Sequence, residues 1–101
     1  MSNFVYISKY QVQPNEERNF VLAFASRGKR VQLFKKSNAH ISTILLQDQN
    51  KEHVYITIDT WVSYDKYLQF KDEYGDLLYH LERECENYIT DVDLIIHSIQ
   101  L

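Results

Sequence analysis

Residues 54 to 63, VYITIDTWVS, alternate between two unlike sets of side chains. Successive residues of a β-strand point to opposite faces of a sheet, so this period of two predicts a strand. One face is aliphatic and carries Val54, Ile56 and Ile58. The other face combines aromatic, hydroxyl and carboxylate groups: Tyr55, Thr57, Asp59 and Trp61. A solvent-facing side would carry Lys, Glu and Ser, so the second face is expected to look onto a pocket or an interface rather than water.

Alternation also predicts three further strands, over Phe4 to Val12, Ala39 to Gln49 and Asp91 to Leu101. In the first of these strands, one face carries aromatic and hydroxyl groups: Phe4, Tyr6, Ser8 and Tyr10. The opposite face of the same strand is aliphatic at Val5 and Ile7.

Two helical regions lie between the predicted strands. The first is expected to begin at Pro14 and to end at Gly28, because proline suits the first helical turn and glycine suits the end of a helix. Apolar residues at spacings of three and four from Tyr67 to Tyr88 predict a longer helical stretch. Ser63 is a good N-cap for it, and Gly75 suggests a bend within it.

The resulting order, β-α-β-β-α-β, predicts a single α+β domain over residues 1–101. It is the ferredoxin-like split βαβ plan, a four-stranded antiparallel sheet with the helices on one face. The other face would remain uncovered and apolar, at Val5, Ile7, Val54, Ile56 and Ile58. An exposed patch of that kind marks an interface, so we expect a homodimer packed sheet to sheet.

Charge and cysteine content narrow the class of protein. The formal net charge of −3 does not indicate a nucleic-acid partner or a membrane surface. Cys85 is the single cysteine, which is typical of a cytoplasmic protein, and we find no signal peptide and no apolar run long enough to span a membrane. The eight tyrosines give rigid contact area with a polar tip, which suits pockets and interfaces.

Two stretches resemble the antibiotic biosynthesis monooxygenase-like family of dimeric α/β barrels. One is YITIDTWVSYDKYLQFKDEYGDLLYHLERECENY, in which an acidic residue, a spacer and Trp61 lead into a Ser-capped helix with the aromatic pair Tyr67 and Phe70. The other is the opening VYISKYQVQPNEERNF. The resemblance covers essentially the whole chain and implies that Trp61 faces a cleft between sheet and helices. The implied substrate pocket consists of Tyr6, Ser8, Tyr10, Tyr55 and Thr57 around that tryptophan.

The resemblance implies a cofactor-independent monooxygenase acting on a small phenolic or polycyclic aromatic substrate. Trp61 would line its site, or it could be a packing tryptophan at the end of the strand. Asp59, if buried, is a candidate base, although a carboxylate there could instead be a hydrogen-bonded structural group. Tyr67 and Lys71 share a helical face and could stabilise an oxyanion, or they could be a core aromatic and a solvated amine. The alternative function is a non-catalytic, small-molecule-binding or stress-associated homodimer.

No cofactor or metal is expected. Haem-degrading relatives use an asparagine on the first strand and a helix histidine, whereas this chain has Ser8 and Lys71 near those places. Quinone-forming relatives pair the tryptophan with an asparagine four residues before it, where this chain has Thr57. The basic segment at residues 27–36, RGKRVQLFKK, is interpreted as a solvated turn with a short helical part.

Overall fold

The computed structural model describes residues 2–101, and for Leu94 and Ile95 it describes the backbone alone. The strands are β1 (Phe4–Val12), β2 (His40–Gln47), β3 (Val54–Trp61) and β4 (Ile89–Ile99). The α-helices are α1 (Glu17–Phe24), α2 (Lys29–Phe34) and α3 (Tyr64–Cys85), and short 3-10 turns cover Pro14–Glu16 and Glu86–Tyr88.

The four strands form one antiparallel sheet in the order β2-β3-β1-β4. This is the predicted α+β, ferredoxin-like plan, with β1 and β3 as the two central strands. The register of β1 on β3 sets Phe4 opposite Trp61 and Tyr6 opposite Asp59. On the other side of β3, Thr43 of β2 stands opposite the same aspartate. The sheet therefore gathers aromatic and polar side chains around Asp59.

The two faces of β3 differ as predicted. The tryptophan face is buried along its whole length, at Tyr55, Thr57, Asp59 and Trp61. On the opposite face Ile56 and Ile58 are half-buried, but Val54 differs from the prediction because it is already buried, with 3% of its surface exposed. We call the apolar set on that side the outer sheet face, which consists of Val5, Ile7, Ile44, Leu46, Ile56, Ile58 and Ile96.

The long helix differs from the expected bent pair. α3 runs without interruption for 22 residues through Gly75. A Cβ at Gly75 would meet nothing within 4 Å, so this glycine serves no close packing contact, and the helix continues through it. The helix is held instead by its buried residues Phe70, Leu78 and Cys85. Its start is as predicted, since the Ser63 hydroxyl accepts a hydrogen bond from the Lys66 amide at 3.1 Å.

Two clusters of buried residues lie at opposite ends of the covered sheet face. One cluster surrounds Trp61 and includes Phe4, Phe34, Phe70 and Leu78. The second surrounds Phe20 and includes Tyr10, Val12, Phe24, Tyr55 and Cys85. The rings of Phe20 and Phe24 in α1 lie 5.3 Å and 5.1 Å from the ring of Tyr10 in β1, and these contacts attach α1 to the sheet. Cys85 is the buried core residue that its apolar stripe indicates. Between the clusters lies the stretch that carries Ser8, Thr57 and Asp59.

Gly28 sets the junction between α1 and α2. Its φ of −75° is open to any residue, so its role is one of space rather than conformation. A Cβ at this position would lie 2.4 Å from the Ala23 carbonyl oxygen and 2.6 Å from that of Leu22. The absence of a side chain therefore lets α2 begin directly against the end of α1.

We expect Gly28→Ala to lower the free energy of unfolding by about 1–3 kcal/mol, because the new methyl group must push α2 off rigid backbone atoms. Gly75→Ala is the matched control. It adds the same methyl group in open space within a helix, and so should raise stability by about 0.5–1 kcal/mol. Urea denaturation of both variants measures the two effects, and equal effects at the two glycines would contradict the packing role of Gly28.

Candidate functional site

A cavity of about 620 Å³ lies between the covered sheet face and helices α2 and α3. The side chains around it come from β1, β3, both of these helices and the start of β4. Seven of the nine residues proposed from sequence for catalysis or substrate binding line it: Tyr6, Ser8, Tyr10, Asp59, Trp61, Tyr67 and Lys71. The fold thus brings together residues that are up to 65 positions apart in the chain.

The other two proposed pocket residues lie elsewhere. The Tyr55 hydroxyl donates to the Glu17 carboxylate at 2.9 Å, and its ring packs against Phe20 in the second cluster. Thr57 is completely buried and is absent from the cavity wall. Both residues share the sheet face with Asp59, as the alternation of side chains along the strand predicts. The cavity, however, is limited to one part of that face by the rings of the second cluster.

Trp61 is enclosed by other rings, and 1% of its surface is exposed. Phe70, Tyr67, Phe34 and His40 lie around it with ring centroids 4.9–5.2 Å away. The indole Nε1 is buried, and no hydrogen-bond acceptor for it is present among residues 2–101. A buried donor without a partner costs about 1–3 kcal/mol.

Asp59 forms a buried ion pair with Arg30. The two guanidinium nitrogens lie 2.5 Å and 3.3 Å from the two carboxylate oxygens, which is a bidentate arrangement. The side chains are 8% and 3% exposed. Thr43 donates a further hydrogen bond to Oδ1 of Asp59 at 2.7 Å. Both oxygens of the carboxylate are therefore engaged, Oδ1 by two donors and Oδ2 by one.

Arg30 itself is the main residue that the sequence interpretation missed. The charge pattern predicts a solvated turn around it, but the structure buries Arg30 together with Val31, Leu33 and Phe34 of α2. The guanidinium carbon lies 4.6 Å from the Phe34 ring centroid, within the range of a cation–π contact. A signal was available, because a carboxylate on a buried sheet face requires a partner and Arg30 stands next to the apolar residues of this segment.

The charge state of Arg30 is fixed by its neighbours. Burial opposes the guanidinium charge, but the Asp59 carboxylate and the Tyr10 hydroxyl outweigh it and raise the pKa of Arg30. Burial also raises the pKa of Tyr10 and of Tyr67, so both phenols keep their protons at neutral pH. The cavity wall thus presents two phenol donors next to the Arg30–Asp59 ion pair, in which each charge already has its partner.

The hydrogen bonds around Asp59 continue beyond the cavity to His40. Its Nε2 lies 2.8 Å from the Thr43 hydroxyl, which in turn donates to Asp59. Burial lowers the pKa of His40, and the charges of Lys35 and Arg30 act in the same direction, while Asp59 acts against them. The imidazole is therefore neutral at pH 7. Arg30, Asp59, Thr43 and His40 form one chain of contacts from α2 across β3 to β2.

Lys71 and Arg83 stand at more open places around the cavity. Lys71 is exposed on α3, one turn after Tyr67. Arg83 donates to the Tyr79 hydroxyl at 3.0 Å and pairs with Glu86 at 3.1 Å. In the part of the chain that the structure describes, no three His, Cys, Asp or Glu side chains are grouped as a metal site. Its helices include none that is long and apolar enough to cross a membrane.

Comparison with known proteins identifies the fold. No protein-family model matches the chain, and no curated protein is significantly similar to it in sequence. Among solved structures, a protein of Bordetella bronchiseptica with the provisional name antibiotic biosynthesis monooxygenase superposes with a TM-score of 0.79 at 16% identity. That alignment covers 100% of this chain and 99% of the other.

SnoaB of Streptomyces nogalater, described as a cofactor-independent oxygenase, superposes with a TM-score of 0.69 at 15% identity, covering 100% of this chain and 93% of SnoaB. A Nitrosomonas europaea protein with the same provisional name gives a TM-score of 0.71 at 11% identity, over 97% and 88% of the two chains. The chain has the fold of the antibiotic biosynthesis monooxygenase-like proteins.

The depressed pKa of His40 has a consequence for stability. A histidine whose pKa is lower in the folded state takes up its proton more readily in the unfolded chain. We therefore expect the unfolding free energy to fall as the pH is lowered through about 6.5, the ordinary histidine pKa. His40→Gln, which retains a donor for Thr43, should flatten this part of the profile. Urea denaturation between pH 7.5 and 5 tests it, and parallel profiles for the two proteins would contradict the role of His40.

Proposed function

We propose that this protein is a cofactor-independent monooxygenase that acts on a small phenolic or polycyclic aromatic substrate. The observation that carries the proposal is the aromatic-walled cavity, whose wall combines Trp61 with Asp59, Tyr67 and Lys71. Its volume of about 620 Å³ lies within the usual range of small-molecule sites. The shared fold with SnoaB, a cofactor-independent oxygenase, supports the same reaction class.

The reaction needs no flavin or metal if the substrate supplies the electrons. An electron-rich ring loses a proton, and the carbanion or phenolate passes an electron to dioxygen. The two radicals combine into a peroxide at a ring carbon, which then loses water and leaves a carbonyl group. One oxygen atom ends in the product and the other in water, and both electron pairs come from the substrate. The protein must supply a base, orientation and a dry site.

Asp59 and Arg30 suit the proton-transfer step as a pair. When Asp59 accepts the substrate proton it becomes neutral, and its ion pair with Arg30 is lost. At the same moment the substrate becomes an anion, which the released guanidinium can bind. The guanidinium thus exchanges one anionic partner for another. The cavity never holds an uncompensated charge, which would be costly in a buried site.

Tyr67 and Lys71 complete the assignment on the α3 side. Both residues line the cavity, and the protonated Tyr67 phenol can donate to an oxyanion. Lys71 adds a positive charge from the solvent side of the same wall. Donors aimed at the atom where charge develops lower the barrier more than they improve binding, so these two residues are assigned to the anion rather than to proton removal.

A second function, non-catalytic binding of a small aromatic molecule, is favoured by one observation. Both oxygens of Asp59 are already engaged, by Arg30 and by Thr43. If this network does not open, the site has no free base beside Trp61. It would then bind its ligand without oxidising it.

Oxygen uptake with a panel of anthrones and quinols separates the two functions. We expect turnover by the wild-type protein, and a loss of at least about a hundredfold in Asp59→Asn while ligand binding survives. The matched control is Asp72→Asn, which makes the same change on the exposed side of α3. Binding without oxygen uptake across the panel would reject the monooxygenase and leave the binding function.

We also propose that the protein is a homodimer through the outer sheet face. Ile44, Leu46 and Ile96 on this face are 45–49% exposed, and they flank half-buried isoleucines of the central strands. A contiguous apolar surface of this kind is unusual on a soluble monomer. A second copy is the occupant that supplies a matching surface, because a two-fold axis brings the same patch from each chain into contact.

Ile56→Asp should break the dimer, because a carboxylate in a dry interface costs several kcal/mol. Thr57→Val changes the next residue, whose side chain is buried on the opposite face of the sheet, and should leave the dimer intact. Light scattering at micromolar concentration gives the oligomeric state of each protein. A monomeric wild-type protein would refute this proposal.

A further inference from the structure

We propose that the cavity takes its aromatic ligand in the uncharged form and rejects carboxylates, with the Arg30–Asp59 pair as the determinant of this selectivity. The inference rests on the proposed function in one respect, namely that the cavity is the ligand site. It adds the charge class of the ligand, which neither the reaction nor the fold specifies.

The argument starts from the charge of the buried cation. A guanidinium in an aromatic cavity usually indicates an anionic ligand, because arginine binds carboxylates in a bidentate manner. Here that position is already taken, since Asp59 accepts from both terminal nitrogens at 2.5 Å and 3.3 Å. A ligand carboxylate would have to displace a carboxylate held by the protein itself. It would also leave Asp59 buried beside a second negative charge.

The other charged side chains of the cavity wall do not favour a ligand carboxylate either. The described cavity wall includes three cationic and four anionic side chains, so it carries no excess of positive charge. Arg83 is already paired with Glu86, and Glu82 and Asp91 lie in the same wall. Lys71 lies in an exposed position, where ion pairs are weak. A ligand carboxylate that enters the cavity thus loses its hydration without gaining a buried counter-ion.

The polar groups that remain available suit a neutral oxygen atom. The phenols of Tyr10 and Tyr67 remain protonated, because burial raises the pKa of each. Neutral donors of this kind match a phenol or carbonyl oxygen, and the aromatic walls match the ring that carries it.

The test uses a pair of ligands that differ in one charge. 6-Hydroxy-2-naphthoic acid is an anion at pH 7, and its methyl ester has the same ring and hydroxyl group but no charge. Isothermal titration calorimetry on the full-length protein gives both affinities. We expect the ester to bind at least about tenfold more tightly than the acid. Equal affinities, or tighter binding of the acid, would overturn the inference without any variant.

Asp59→Asn provides a gain-of-binding test. It removes the competing carboxylate and leaves Arg30 as an uncompensated buried cation. The affinity for the acid should then rise at least about tenfold, while that for the ester changes less than about threefold. A misfolded variant cannot produce such a gain. No gain in a variant that melts cooperatively would contradict the role of the pair.

The double variant Arg30→Gln, Asp59→Asn is the control for the source of the gain. It removes both charges, so the affinity for the acid should return to the low wild-type value. Retention of the gain would assign it to another cation, such as Lys71, and would overturn the inference.

Binding and oxygen uptake distinguish this inference from the proposed function. Ester selectivity without turnover would reject the monooxygenase and uphold the selectivity. Turnover combined with tighter binding of the acid would uphold the monooxygenase and reject the selectivity. A wild-type protein that binds neither naphthalene would overturn both.

Discussion

The buried ion pair between Arg30 and Asp59 is the contact on which the rest of the site depends. It joins α2, a helix of six residues, to the central strand β3. Removing one partner of such a pair costs about 3–5 kcal/mol, because the other charge stays buried without compensation. The glycine at the start of α2 and the aromatic rings that cover the guanidinium both serve this contact. Without it, α2 would have no polar anchor at the sheet, and the cavity would lose one of its walls.

The cavity exists because the two hydrophobic clusters occupy opposite ends of the covered face. Rings fill the space around Trp61 at one end and around Phe20 at the other. Between them the strands carry small or polar side chains at Ser8 and Asp59, which do not extend far enough to reach α3. The long helix crosses this gap because it is anchored at Phe70 and at Cys85. The empty volume is thus a consequence of which positions carry rings.

Period two and helical spacing were sufficient for the architecture, because β1 and β3 each carry aliphatic residues on one face and aromatic and polar residues on the other. The same alternation placed Trp61, Asp59, Tyr6 and Ser8 on one side of the sheet, and they line one cavity. It could not tell where along that side the cavity ends, and Tyr55 and Thr57 lie outside the cavity wall. Arg30 was missed for a different reason. Its burial depends on a tertiary partner 29 residues away, and a local run of basic residues gives the opposite impression.

In the proposed reaction, the ion pair would keep the site stable and still allow proton transfer. A free buried carboxylate would be a stronger base, but it would destabilise the folded chain. Pairing it with Arg30 removes that cost and stores a cation next to the position where a substrate anion would form. The Thr43 hydrogen bond links the same carboxylate to the neutral His40, so the carboxylate is held from the β2 side as well. Stability and reactivity then draw on the same contact, and a neutral ligand that gives up its proton inside the cavity is the species that satisfies both.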